Sequence, residues 1–373
     1  MLSEHSSRTD PPGPGIILYD FFARWGGAEK LTQSLLKRYV STDLCVGFGE
    51  PTALCNINSD SRSVITLNAR SSIPFLTVLL LILRFKKYAP QIQKYRWAIF
   101  SGTFAPLSAN RSDKETNILY CHQLPRFCFD LRDHYMQKLP ALMRPMFLLF
   151  VRLIKREYSK SLQSMRLIIA NSKHTQSELA LHFNQPSDVI YPPVDVERFE
   201  WLGTKPYFLS SARLEEFKRV DCIIAAFKEM PDKNLVITSG GAEREKLMAL
   251  ADGARNISFT DWVCEEELIE LTGFCKAVIY VPSDEPFGIT PVEAMAAGKP
   301  VIGVASGGLL ETVTDGETGV LINGAPTVAT ICEAVCRVIE MDEATTIKAC
   351  QARATLFSEE VFLEKMAKAI LND

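Results

Sequence analysis

The chain has 373 residues, 47% of them hydrophobic and 23% charged, with a formal net charge of −3. That length favours two domains over one core, and the balance excludes disordered and fibrous classes. The near-neutral total hides an asymmetry: residues 1–195 carry 24 Lys and Arg against 15 Asp and Glu, whereas residues 196–373 carry 17 against 29.

A basic half joined to an acidic half implies either an anionic partner for the first half or mutual attraction of the two. No nucleic-acid partner is expected. Ten cysteines occur without CxxC spacing, so they read as reduced, mostly buried small hydrophobes. The opening MLSEHSSRTDPPGPG has no apolar signal core and reads as a lead-in to the first strand of a cytoplasmic protein.

In chain order, strands are expected at 15–21, 43–48, 63–67, 97–102, 117–122, 166–171 and 188–194. These β-branched runs, separated by longer amphipathic stretches, imply βαβ units and a parallel sheet. After the first strand comes RWGGAEK, in which Gly26 and Gly27 allow a tight strand-to-helix turn but do not make a GxGxxG fingerprint. The run Ile73 to Phe85 is too short to cross a bilayer, which needs about 20 residues. A second run, Leu142 to Lys160, carries Arg144, Arg152, Lys155, Arg156 and Lys160. Apolar bulk with a basic fringe suits an anionic membrane surface, although a buried crossover helix fits the first run equally well. His122 ends the fifth strand in YCHQLPRF, where a ligand-facing residue would sit; by itself it equally suits a structural role.

A linker rich in proline spans Pro192 to Pro206, and the pattern then restarts with strands at 207–212, 234–241, 256–263, 277–283, 300–306 and 318–323. Two successive parallel-sheet domains, 1–195 and 196–356, would face each other across a cleft, with ligands outside the carboxyl ends of the strands. Arg213 and Lys218 follow the first strand of the second set, near a helix start. Cations are unfavourable there unless an anion joins them, which makes the pair a candidate diphosphate clamp; ion pairs with Glu215 and Glu216 are the alternative. In DEPFGITPVEAMAAGKP, Thr290, Pro291 and Glu293 have the form of an N-cap, a first-turn proline and a capping-box glutamate. Glu285 lies outside that helix with no capping role, and a carboxylate near an anion site is best explained by hydroxyls, hence a sugar. No DxD motif stands out, since Asp130 and Asp133 read as a helix start, and no metal is expected.

These residues resemble the family 4 retaining glycosyltransferases of the GT-B fold, two Rossmann-like doubly wound domains facing a central cleft. The matching stretches are GGAEK at 26–30, YCHQLPRF at 120–127, ANSKHTQSEL at 170–179, YPPVD at 191–195, SARLEEFKRVD at 211–221, EPFGITPVEAMAAGKPVI at 285–302 and DGETGVL at 315–321. YCHQLPRF and the following DLRDHY are most similar to bacterial mannosyltransferases of O-antigen and exopolysaccharide assembly. The resemblance implies that Arg213 and Lys218 bind the donor diphosphate, Glu285 holds sugar hydroxyls and Glu293 binds the ribose. It further places the amides of Phe287, Gly288, Ile289 and Thr290 against sugar and phosphates, Val263 near the base, and His122 and the Gly26–Gly27 loop near the sugar. The C-terminal helix, within 357–373, would return to the first domain. The implied reaction is metal-independent transfer of a hexose, taken as mannose from GDP-mannose, to a lipid-linked glycan at the cytoplasmic membrane face, with no cofactor beyond the donor. A nucleotide-sugar 2-epimerase on the same fold and a catalytically silent sugar-nucleotide-binding protein are the alternatives.

Overall fold

The computed structural model describes residues 13–22, 26–55, 57, 62–109 and 116–371. The expected lead-in at 1–12, and Arg24 and Trp25 of RWGGAEK, lie outside the described residues. Two units divide the chain, Met1–Tyr191 with Phe362–Asp373, and Pro192–Val361.

The first unit holds strands β1 (Gly15–Phe22), β2 (Thr42–Gly49), β3 (Val64–Thr66), β4 (Trp97–Ser101), β5 (Asn117–Cys121), β6 (Leu167–Ala170) and β7 (Asp188–Val189). They form one parallel sheet in the order β3-β2-β1-β4-β5-β6-β7. Side chains alternate across a strand, so each strand serves two cores. Ile16, Leu18, Phe100 and Leu119 face one, with Leu81 and Phe85 of α2 (Pro74–Tyr88) and Tyr158 and Leu162 of α3 (Arg144–Leu162). Ile17, Tyr19, Ile99 and Tyr120 face the other, with Leu31 and Leu35 of α1 (Gly27–Arg38). Helices on both faces are why these strands read as unbroken apolar runs.

The second unit holds β8 (Tyr207–Ser210), β9 (Asn234–Thr238), β10 (Ile257–Asp261), β11 (Ala277–Tyr280), β12 (Val301–Val304) and β13 (Gly319–Ile322). All are parallel, in the order β10-β9-β8-β11-β12-β13. In both sheets the strand order reverses beside the first strand of the unit, between β1 and β4 and between β8 and β11. Loops leaving the carboxyl ends of such a strand pair diverge and open a crevice there.

The crossing points fall at Tyr191/Pro192 and Val361/Phe362, a few residues from those expected, because the start of the linker is zipped onto the second unit. Val194 donates its N–H to the Phe357 carbonyl at 2.9 Å and pairs in parallel with Ser358. Helix α6 (Glu359–Leu371) then buries Phe362, Met366 and Ile370 in the core shared with α1, where the Phe362 ring meets Tyr120 edge-on. Replacing Phe362 with Ala should leave a cavity and lower the stability of the first unit by about 3–5 kcal/mol. A reduced urea midpoint for that unit is the readout, and an unchanged midpoint would show that α6 is dispensable to the core.

Candidate active site

Lys218 and Glu285 are 67 positions apart in sequence, on the loops leaving β8 and β11, and the strand reversal makes those loops neighbours. Lys218 Nζ donates to Glu285 Oε2 at 2.6 Å and to the Tyr280 hydroxyl at 2.8 Å. The two charged side chains are only 11% and 17% exposed. Tyr280 closes β11, and burial, the Glu285 charge and a hydrogen bond to Glu285 push its phenol well above the usual range. Arg213, on the same β8 loop, acts on that phenol in the opposite sense, and Glu293 adds to the upward push. Four residues singled out in the sequence therefore surround one tyrosine that was not.

The backbone fixes this cluster from both sides. Ser283 donates its N–H to the Phe217 carbonyl at 2.8 Å, tying the β11 loop to the β8 loop. Gly308 donates to the Glu285 carbonyl at 2.8 Å, so the Ser306-Gly307-Gly308 turn after β12 presses on the other flank. A Cβ on Gly307 would sit 2.3 Å from the Glu285 carbonyl oxygen, and its φ of +58° is itself costly for a residue with a side chain.

Helix α4 (Val220–Lys228) begins just past Lys218, and α5 (Ile289–Ala296) begins four residues after Glu285. The expected capping box at Thr290 and Glu293 is not formed. Gly288 occupies the cap with φ 90°, no side chain caps the helix, and Thr290 already lies inside the first turn. Only glycine enters that left-handed conformation without strain, so the helix starts two residues earlier than Thr290 would set it. Glu293 is thereby removed from the capping position. The amides of Gly288, Ile289 and Thr290 belong to a helix terminus whose dipole favours an anion. Phe287 is buried against Phe357 and anchors the approach to the helix.

Val263 stands apart from this cluster. It follows β10 at the sheet edge, and β9 intervenes before β8.

In the first unit His122 extends β5, and its Nε2 lies 2.7 Å from Ser101 Oγ at the end of β4. Packing around the ring lowers its pKa to about 4, so the imidazole is neutral at neutral pH. One ring nitrogen is held by Ser101, and Nδ1 remains as the other polar atom. Asp20, near the end of β1, accepts from the amides of Thr103, Phe104 and Ala105 at 2.6–2.8 Å and fixes the loop leaving β4. Gly26 caps α1 in an extended conformation, and the buried Glu29 of the first turn accepts from Tyr19 at 3.0 Å. An anion at this helix end would have to share it with the Glu29 carboxylate, which favours hydroxyls over phosphate beside Gly26 and Gly27. Among the described residues no group of three or more His, Cys, Asp or Glu is placed to hold a metal ion.

Tyr280, Ser101, Asp20 and the Gly307–Gly308 turn escaped the sequence reading. The glycine pair was visible as turn chemistry, but nothing in the sequence paired it with Glu285.

Residues 194–354 match the family described as glycosyl transferases group 1. The chain has the GT-B fold. It is 32% identical over 221 residues to the alpha-1,3/1,6-mannosyltransferase ALG2 of Dictyostelium discoideum, covering 46% of this chain and 52% of that protein. It is 31% identical over 181 residues to a D-inositol 3-phosphate glycosyltransferase of Mycobacterium, covering 43% and 41%. The chain thus spans about half the length of the curated relatives it matches. The Anabaena protein HepE, solved in complex with UDP-glucose, shares the fold with a TM-score of 0.75 at 17% identity, over 97% of this chain and 100% of that one.

The lowered His122 pKa carries a sign. A base depressed from 6.5 to about 4 favours folding with its neutral form, so its contribution is complete above pH 6.5 and is lost as pH falls through about 4. An NMR titration should show the His122 ring still neutral at pH 5, and His122→Gln should flatten the acid limb of the stability curve; a ring titrating near 6.5 would refute the burial. Tyr280→Phe should keep the fold while loosening Lys218 from Glu285, which a rise in the Lys218 ammonium proton exchange rate would report.

Proposed function

We propose that this chain transfers a hexose from a nucleoside diphosphate sugar to a glycan acceptor with retention of anomeric configuration. The observation that carries the reading is the Lys218–Tyr280–Glu285 cluster at the β8/β11 reversal, beside the N-terminus of α5. Breaking a glycosyl–phosphate bond builds negative charge on the departing diphosphate and positive character on the sugar. Lys218 has three N–H donors; two are taken by Tyr280 and Glu285, which leaves one for a phosphate oxygen. Exposed Arg213 supplies a second, forked cation, and the α5 amides supply aligned dipoles. These groups take the role a metal would otherwise play, so transfer is proposed to be metal-independent.

Glu285 then has two tasks. It holds Lys218 in place before the donor arrives, and it accepts from sugar hydroxyls once the phosphate draws the lysine away. Glu293, outside any capping box, accepts from the ribose. Val263, on the loop after β10, is proposed to lie near the base. In the first unit, the neutral His122, through Nδ1, and the Gly26–Gly27 turn are proposed to meet sugar hydroxyls. No protein nucleophile is assigned; attack occurs on the same face as departure, assisted by the leaving phosphate.

The likeness to an alpha-1,3/1,6-mannosyltransferase supports mannose as the sugar; GDP-mannose as the donor and a lipid-linked glycan at the cytoplasmic membrane face as the acceptor are proposed with it. Thermal shift with GDP, UDP, ADP and dTDP tests the base: GDP should raise Tm most, and a shift with UDP alone would overturn the mannose assignment. Lys218→Ala and Glu285→Ala should each cut transfer by about a hundredfold or more with the fold retained by circular dichroism, while the charge left unpaired lowers Tm. Full transfer by both variants would overturn the site, and loss of transfer in EDTA would overturn metal independence.

A further inference from the structure

The two apolar runs of the first unit do not end up wholly inside it. Helix α2 buries Leu81 and Phe85 but turns Phe75, Leu79 and Leu83 outward, and Phe75 and Leu83 are each 55% exposed. Helix α3 buries Val151, Ile154 and Tyr158 but turns Met146, Leu149 and Leu153 outward, with Leu149 58% exposed. The spacings 75/79/83 and 146/149/153 each define one stripe of a helix. The helices run side by side: the Phe75 and Phe150 rings meet at 5.7 Å near one end, and Lys86 pairs with Glu157 near the other. Glu157 also accepts from Lys160 at 2.7 Å, and these two lysines depress its carboxyl to about 2. The two stripes therefore form one preassembled apolar face rather than two loose segments.

Its charge is one-sided. The two helices carry eight Lys and Arg, and Glu157 is their only acidic residue. Glu157 is spent on Lys86 and Lys160, whereas Arg84, Lys87, Arg144, Arg152 and Arg156 are exposed. A protein partner for so apolar a centre would need a matching acidic rim. A bilayer with anionic headgroups supplies both the apolar interior and the negative border in one surface. Neither helix is long and apolar enough to cross it. Both pack against the short segment Ala105–Ser108 after β4, the segment whose entry is held by Asp20 at the carboxyl end of the sheet.

We propose that the α2–α3 face docks the chain in-plane on an anionic bilayer. The apolar stripes enter the headgroup boundary and the arginines and lysines meet lipid phosphates. This deepens the transferase reading and rests on it for the acceptor, since a docked face would bring a lipid-linked glycan to the carboxyl end of the first sheet. The docking itself rests on the face alone.

Co-sedimentation of the full chain with vesicles of phosphatidylcholine alone, or mixed with phosphatidylglycerol, tests it. Binding should require phosphatidylglycerol and weaken as salt rises. Leu149→Glu with Leu153→Glu should lower partitioning about tenfold or more, as should Arg152→Glu with Arg156→Glu. Both variants should keep the wild-type Tm and its shift with nucleotide. Wild-type chain left in the supernatant with anionic vesicles would overturn the proposal, as would undiminished binding by both variants. A concentration-dependent dimer that Leu149→Glu abolishes, without vesicle binding, would assign the face to a second copy instead. A chain that binds vesicles but shows no shift with any nucleotide would overturn the transferase reading and leave the docking standing.

Discussion

The ion pair between Lys218 and Glu285 depends on a topological fact and in turn organises the second unit's ligand end. Because strand order reverses between β8 and β11, two loops far apart in sequence leave adjacent strands and can exchange a charge contact. A partly buried pair of this kind has lost much of its hydration, and it persists because further polar atoms satisfy both ends. Tyr280 provides one of those atoms, and the Gly307–Gly308 turn holds the Glu285 backbone.

The first unit follows the same architectural rule with a different chemistry. At its reversal, between β1 and β4, the groups are a neutral imidazole on a serine hydroxyl and a buried aspartate bound to three amides. These groups carry no exposed cation and suit hydroxyls, whereas the second unit concentrates cations and a helix terminus that suit phosphate. The excess basic residues of the first half gather in part along α2 and α3.

Much of the fold was legible because parallel strands buried on both faces leave continuous apolar runs, and all seven and six strands of the two sheets fall within or overlap the expected stretches. Boundaries were less legible. Thr290 has the composition of a cap, but Gly288 reaches the left-handed conformation at lower cost and starts α5 first. Glu293 is consequently not a capping-box residue; its charge acts on Tyr280, the same phenol that Glu285 and Lys218 meet.

By itself, the sequence determined the parallel-sheet class, the two-unit organisation and the identities of Arg213, Lys218, Glu285, Glu293 and His122 as candidates, because strand periodicity and misplaced charges are local signals. Only the tertiary structure decided which of these meet. Tyr280 sits at the centre of the cluster, Ser101 holds His122, and the Phe75 and Phe150 rings join two apolar stripes into one face. Each of these contacts spans tens of residues, and strand order and helix packing set such distances while composition does not.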